Sequence, residues 1–340
     1  MSHWISRGRC AGLLCVLLLL FGAATSHAAD RRELRIATVA PAGSAFHKRL
    51  QALGAEWSRG PGGVTINIYP GTQGGELQIV RRMRIGQIQG AMLSSVGLGQ
   101  LDRAVTALQF MPLMFRDWND VDRVRERLRP ELERRLRAAG FVVLFWGDAG
   151  WVHYFSKTPI RSVADLKPMR VFATSGDPAS IEMMKAYYTP VLLEPDQILL
   201  GLRNGMIDAL PVPAFLANFN QVATYAPYML DLKWAPVTGA LVLTEKAWNQ
   251  LDGPTQQWLI ETSERAGHTM RAASRVEDEA TIRAMVEKQG LKVVTLSAAA
   301  ELEFRKEVAR IYPQIRGTLV PAPIFDMTVE TLKSGGESAK

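Results

Sequence analysis

The sequence predicts an α/β protein built as two lobes around a shared helical spine. Three observations carry that expectation. Extended apolar segments alternate with helical ones along the chain, the pattern of sheets covered by helices on both faces. The chain has 340 residues, more than one hydrophobic core ordinarily serves, and such lengths divide into two domains. One long helical stretch, opened by Pro254 and stopped by Gly290, can run across both lobes.

The N-terminus precedes this pattern. Arg7 and Arg9 lead into an apolar run, Ala11 to Phe21, and then into the small and polar residues Gly22 to Ala29. A basic start, an apolar middle and a small-residue end predict a secretory signal peptide over 1–29, cleaved after Ala28 or Ala29. The run is short for a membrane span. Cys10 and Cys15 both fall inside it, and Gly12-Leu-Leu before Cys15 is a poor lipidation signal. The mature chain then lacks cysteine, which excludes disulfides, thiol nucleophiles and cysteine metal sites. The expected location is the periplasm. The formal charge is +7. Much of the excess sits in 123–137, where acids are interspersed and Val124, Leu128, Leu132 and Leu136 recur at helical spacing. That is a solvated helix face, and nucleic acid is not an expected partner of an exported chain.

The elements follow in order. Leu34 to Val39 is a first strand. Ser44 caps a helix with Phe46, Leu50, Leu53 and Trp57 on one face. Val64 to Tyr69 alternates as a half-buried strand. A helix with Leu77, Val80 and Met83 inward ends at Gly86, and Ala91 to Ser95 is a buried strand end. The helical stretch 118–139 carries Pro130, where a break is expected. Phe141 to Trp146 and Met169 to Ala173 are apolar strands. Asp177-Pro178 starts a helix lasting to about Tyr187. A short helix runs from Asp196 to Asn204. Strands follow at Ile207 to Leu210 and Ala240 to Leu243, with a helix from Glu245 to Leu251. After the long helix come a strand, Leu291 to Leu296, and a helix around 298–312. The polar segment 331–340 is expected to be a disordered tail.

The catalytic inventory is thin. His47, His153 and His268 lack metal-ligand spacing, and there is no His-Glu-x-x-His, Gly-x-Ser-x-Gly or phosphate loop. Val96-Gly-Leu-Gly99 lacks the third glycine of a dinucleotide fingerprint. No enzyme activity, metal or cofactor is expected. A two-lobed exported chain of this kind points to a receptor that traps a solute by hinge closure.

Ordered motifs sharpen that reading. They are Tyr69-Pro-Gly…Gly-Gly-Glu76, Met83-Arg-Ile-Gly86…Gly-Ala-Met92, Met111-Pro-Leu-Met-Phe-Arg-Asp117, Pro159-Ile160…Asp165-Leu-Lys167, Gly205-Met-Ile-Asp208 and Ala247-Trp248. Over about residues 34–315 the set resembles the TRAP transporter solute receptors of the dicarboxylate-receptor type. The resemblance implies a type II periplasmic binding-protein fold with an interlobe cleft. It places lobe I at 30–150 plus 239–275 and lobe II at 151–238 plus 276–330. It also implies delivery of a small-molecule ligand to TRAP membrane permease subunits.

The family usually follows Asp-Leu-Lys-Gly with a variable residue, a lysine, an aliphatic residue and an arginine that clamps the substrate carboxylate. Laid on without a gap, Pro168 replaces the glycine, Arg170 the lysine, Val171 the aliphatic residue and Phe172 the clamp. A two-residue gap would put Arg170 on the clamp but shorten a core strand. The two residues share a strand face, so facing does not choose between them. Val212 stands where an asparagine ligand is usual, and Ser94 near where some members place an acidic ligand group. The loop that often carries a second arginine reads Gly150-Trp-Val-His-Tyr-Phe155. A carboxylate buried here would lose charge-assisted partners and keep its desolvation cost. The expected cleft is therefore mainly apolar or aromatic, lined by Trp151, His153, Phe172, Val212, Phe215 and Trp234, with Ser94 and Arg170 as polar candidates. Core packing is the competing role for each ring. Similarity to a subgroup with hydrophobic ligands adds a helical-repeat periplasmic protein as a partner. The alternatives are a receptor of this fold acting with a repeat or sensor protein, and an organic acid bound through Arg170.

Overall fold

The computed structural model describes residues 32–174 and 178–337. The expected signal peptide, with Cys10 and Cys15, lies outside the described residues, as does the Asp177 cap. β1 (Glu33–Thr38) is followed by α1 (Ala45–Trp57) and β2 (Thr65–Pro70). Ser44 caps α1 by accepting from the His47 N–H, and Phe46, Leu50, Leu53 and Trp57 are buried. α2 (Glu76–Arg84), β3 (Gly90–Ser94) and α3 (Ser95–Gly99) come next. α4 (Trp118–Ala138) leads into β4 (Phe141–Ser156), a strand of sixteen residues.

Two expectations about α4 and β4 are corrected. Pro130 lies inside α4 and does not break it. It sits on the exposed side, and Glu126, whose carbonyl loses a donor, is exposed too, so the missing bond falls on the solvent face. On the other side Val121, Val124, Leu128, Leu132 and Leu136 form one buried stripe. Burying such side chains stabilises by roughly 1.5–3 kcal/mol each, which outweighs the ~3 kcal/mol that an interior proline costs. The segment Gly150 to Phe155, expected as a loop, is the second half of β4.

α5 (Val163–Leu166), β5 (Arg170–Ala173), α6 (Pro178–Met184), β6 (Thr189–Leu192), α7 (Ile198–Arg203), β7 (Ala209–Pro213), α8 (Ala214–Phe219) and β8 (Tyr228–Leu230) continue the alternation. β9 (Ala235–Thr244) returns along β4 and α9 (Glu245–Trp248) follows. α10 (Gly253–Gln289) is the expected spine, capped by Asp252 and ended by Gly290 in the left-handed region. β10 (Lys292–Val294), α11 (Ala298–Ala309), α12 (Tyr312–Thr318) and α13 (Ala322–Glu337) complete the chain. α13 corrects the expected tail: the helix continues through the first part of 331–340, to Glu337.

The strand order is β2-β1-β3-β9-β4-β7-β5-β6, with β8 joining β4 to β10. β4 ties the two halves together. Its first part pairs with β9, and Val152 to Ser156 pair with β7. The register shifts between Asp148 and Trp151, where Gly150 takes a φ of 97°. Each half carries an apolar core on either side. In the first half, Leu98, Val124 and Leu128 pack on one side, and Leu50, Trp57, Leu241 and Leu259 on the other. In the second, Phe155, Phe172, Val212 and Met285 pack on one side, and Tyr154, Val171, Tyr188 and Phe304 on the other. α10 contributes Met270 to the first half and Met285 to the second.

Close approach of α10 to β4 depends on Gly267, where a Cβ would lie 2.6 Å from the Phe145 Cβ. Gly267→Val should therefore destabilise the fold by about 1–3 kcal/mol, read as a lower urea midpoint with an unchanged slope.

Candidate functional site

The two halves meet where β4 crosses between them. Three residues of α10, spaced as one helix face, reach the crossing. Arg271 donates to the Trp146 carbonyl at 2.6 Å. Arg275 donates to Asp148 Oδ2 at 3.0 and 2.6 Å. Asp278 Oδ2 accepts from the Trp151 N–H at 3.1 Å. Asp148 is buried and accepts a further bond at 2.7 Å from Arg125 of α4, itself 2% exposed. Asp122 bonds Arg275 at 2.8 Å and also Arg125. Burial acts to raise the Asp122 carboxyl, but the Arg275 bond and the Arg125 charge hold it below the usual range. Among the described residues no cation is bonded to Asp278, and burial pushes it up to about 6.

A stack of rings and cations crosses the same region. Lys233 Nζ lies 5.6 Å from the Trp151 ring centre, Trp151 is 4.9 Å from Trp118, and the Arg275 guanidinium is 4.8 Å from Trp118. Elsewhere the halves touch directly. The Phe46 and Phe215 rings are 5.0 Å apart, Met183 of α6 packs against the first-half core, and a Cβ on Gly75 would lie 2.9 Å from Glu194 Oε2. These contacts pack the two halves against one another.

Within this frame the expected site residues separate into groups. Phe172 and Val212 share one core with Phe155 and Leu193. His153 stands opposite Val212 in the strand register and is 3% exposed. Its Nδ1 lies 3.3 Å from the Leu230 carbonyl, which can only accept, so Nδ1 carries the proton. Burial lowers its pKa, which favours the neutral ring. Trp151 packs with the first-half core, and its buried Nε1 has no partner among the described residues. Phe215 meets Phe46 at the junction. Trp234 packs edge-on to Tyr154 at 5.1 Å, on the opposite side of the sheet from Phe172.

Ser94 ends β3 and caps α3, and it bonds a residue the sequence reading did not single out. Its N–H and Oγ donate to the Glu76 carboxylate at 2.5 and 2.6 Å, and the Gly97 N–H adds a third bond at 2.8 Å. Burial raises the Glu76 carboxyl, and these donors oppose the rise. Glu76 belongs to the Gly-Gly-Glu motif, but its partners are remote in the chain. Arg170 is committed elsewhere. It opens β5 and donates to both oxygens of Asp208, from its N–H at 3.0 Å, Nε at 2.9 Å and Nη2 at 2.8 Å. The bond from Arg170 holds the Asp208 carboxyl below its usual range. Ligands of open α/β sheets sit beyond the carboxyl ends of the strands, and Arg170 is at the amino end of β5.

The sequence profile described as bacterial extracellular solute-binding protein, family 7 (DctP), matches residues 36–317. Solved structures share the fold. A TRAP periplasmic solute-binding protein from Shewanella oneidensis with bound succinate superposes with a TM-score of 0.82 at 14% identity, covering 89% of this chain and 99% of that one. A second, from Xanthobacter autotrophicus Py2 with bound β-D-galacturonate, gives 0.80 at 21%, covering 88% and 99%. The sugar-acid-binding protein from Advenella mimigardefordensis in complex with galactonate gives 0.82 at 14%, covering 89% and 98%.

Removing one partner of a buried ion pair leaves its counterpart stranded. Asp148→Ala would strip Arg125 of a buried partner and Arg275 of one of its two, and should lower stability by about 3–5 kcal/mol. Chemical denaturation measures the loss, and Asp122→Ala, at the more exposed end of the cluster, should cost less.

Proposed function

The chain belongs to the DctP family of bacterial extracellular solute-binding proteins, and from that premise we propose that it is the periplasmic receptor of a TRAP-type secondary transporter. It captures a small neutral or largely apolar ligand between its lobes and delivers it to the membrane permease subunits. Family members bind solutes rather than transform them. In this proposal the segment 1–29 directs export, 30–150 plus 239–275 form lobe I, and 151–238 plus 276–330 form lobe II. The helical-repeat periplasmic protein belongs to the proposal as a further partner.

One observation carries the ligand class. In the ungapped family match Phe172 falls where a clamp arginine is usual; it is buried in one core with Val212, while Arg170 is held by Asp208. With Arg170 engaged, a ligand carboxylate in contact with Phe172 and Val212 would forgo an ion-paired donor while losing its hydration. Ser94, Trp151, His153 and Phe215 are the proposed wall residues around this apolar patch. Trp234 joins them through Tyr154 rather than by direct contact with Phe172. A second reading, a small organic acid, draws on the acids bound by proteins of the same fold. It requires a cation other than Arg170.

Mass spectrometry of ligand released from the purified protein should yield a neutral or largely apolar small molecule; a sugar acid or dicarboxylate overturns the reading. Phe172→Arg, checked for folding by circular dichroism, should weaken retention of that ligand at least about tenfold, because it leaves a charge in an apolar wall. Equal retention would remove the ring from the pocket.

A further inference from the structure

We infer that Asp278 is a proton-linked latch of the hinge, and that its protonation favours the closed arrangement of the lobes. β4 changes register between Asp148 and Trp151, and a rotation of one lobe against the other must flex this crossing. Asp278 presses on it from the spine helix. Its Oδ2 accepts from the Trp151 N–H, and a Cβ on Gly150 would come within 2.6 Å of its Oδ1. An ionised carboxylate offers about four acceptor sites, and Trp151 satisfies one of them. The ionised form is therefore poorly solvated in the closed arrangement, and burial pushes the group up to about 6.

The charged groups around it are accounted for. On α10, Arg275 is bound to Asp148 and Asp122, and Glu279 repels the ionised form. Lys233, before β9, attracts it without bonding it. On β4, Asp148 is neutralised by Arg125 and Arg275, and His153 is buried. Flexing the crossing would admit water and return Asp278 toward an ordinary aspartate. The closed arrangement then binds the proton more tightly than the open one. Closure is strengthened as pH falls through about 6 and weakened above it. An open-state value near 4 gives a closed-to-open ratio about tenfold higher at about pH 5 than at about pH 7.5. His153 would act with the opposite sign, because burial lowers its pKa, so that acid would open the cleft.

Small-angle X-ray scattering of the ligand-free purified protein across this pH range reads the closed fraction. The inference rests on lobe closure in the proposed function but not on the class of ligand, so an error about the ligand leaves this readout intact. The natural protein should become more compact on acidification. Asp278→Asn, which keeps the acceptor for Trp151 but not the charge, should stay compact throughout, and Glu279→Gln, which removes only a neighbouring repulsion, should still become more compact on acidification, at a slightly lower pH. A titrating Asp278→Asn, or expansion on acidification, overturns the inference. Should that variant fold poorly, exchange of the Trp151 amide in the natural protein, corrected for its intrinsic pH dependence, decides. It should be better protected in acid, and pH-independent protection overturns the proposal.

Discussion

The contact between α10 and β4 is the constraint on which the rest of the molecule depends. Gly267 lets the helix lie close to Phe145, and Arg271, Arg275 and Asp278 then meet successive groups of the strand. A helix of 37 residues spans about 55 Å, enough to touch the cores of both halves. The apolar contacts at Met270 and Met285 are tolerant of small slips. The polar ones between them are not, because a displaced Arg275 would leave Asp148 buried with one of its cations missing. The seam therefore fixes how helix and strand register, and through them how the halves face one another.

The same accounting of charge shapes the cleft. The buried or partly buried carboxylates near it have assigned partners: Glu76 the donors of Ser94 and Gly97, Asp208 the fork of Arg170, Asp148 two guanidinium groups. Asp278 is the under-partnered member and lies where the chain crosses. Rings of the two halves meet at Phe46 and Phe215, and Trp118 and Trp151 pack together beside the crossing.

Much of the fold was legible in local patterns. The inward stripe of α1, its Ser44 cap, the run of β1 and the long helix from Pro254 to Gly290 follow from spacing and capping residues within one or two turns. Of the candidate site, Phe172 and Val212, each placed at a polar position of a family pattern, lie in one apolar core. The clamp position of Arg170 could not be settled that way, since it shares a strand face with Phe172. Its partner Asp208 is distant in sequence and adjacent only after β5 and β7 pair.

The sequence by itself determined which segments extend, which coil, and that the chain carries two lobes' worth of apolar surface with few groups fit for catalysis. Tertiary structure decided the rest. It kept α4 whole through Pro130, because the buried stripe on its other side outweighs one missing hydrogen bond. It drew Gly150 to Phe155 into β4, because β9 and β7 offer that segment partners. It gave Glu76, Asp148 and Asp278 their surroundings. Propensity and periodicity act over a few residues, whereas burial and charge pairing depend on neighbours that only the folded chain brings together.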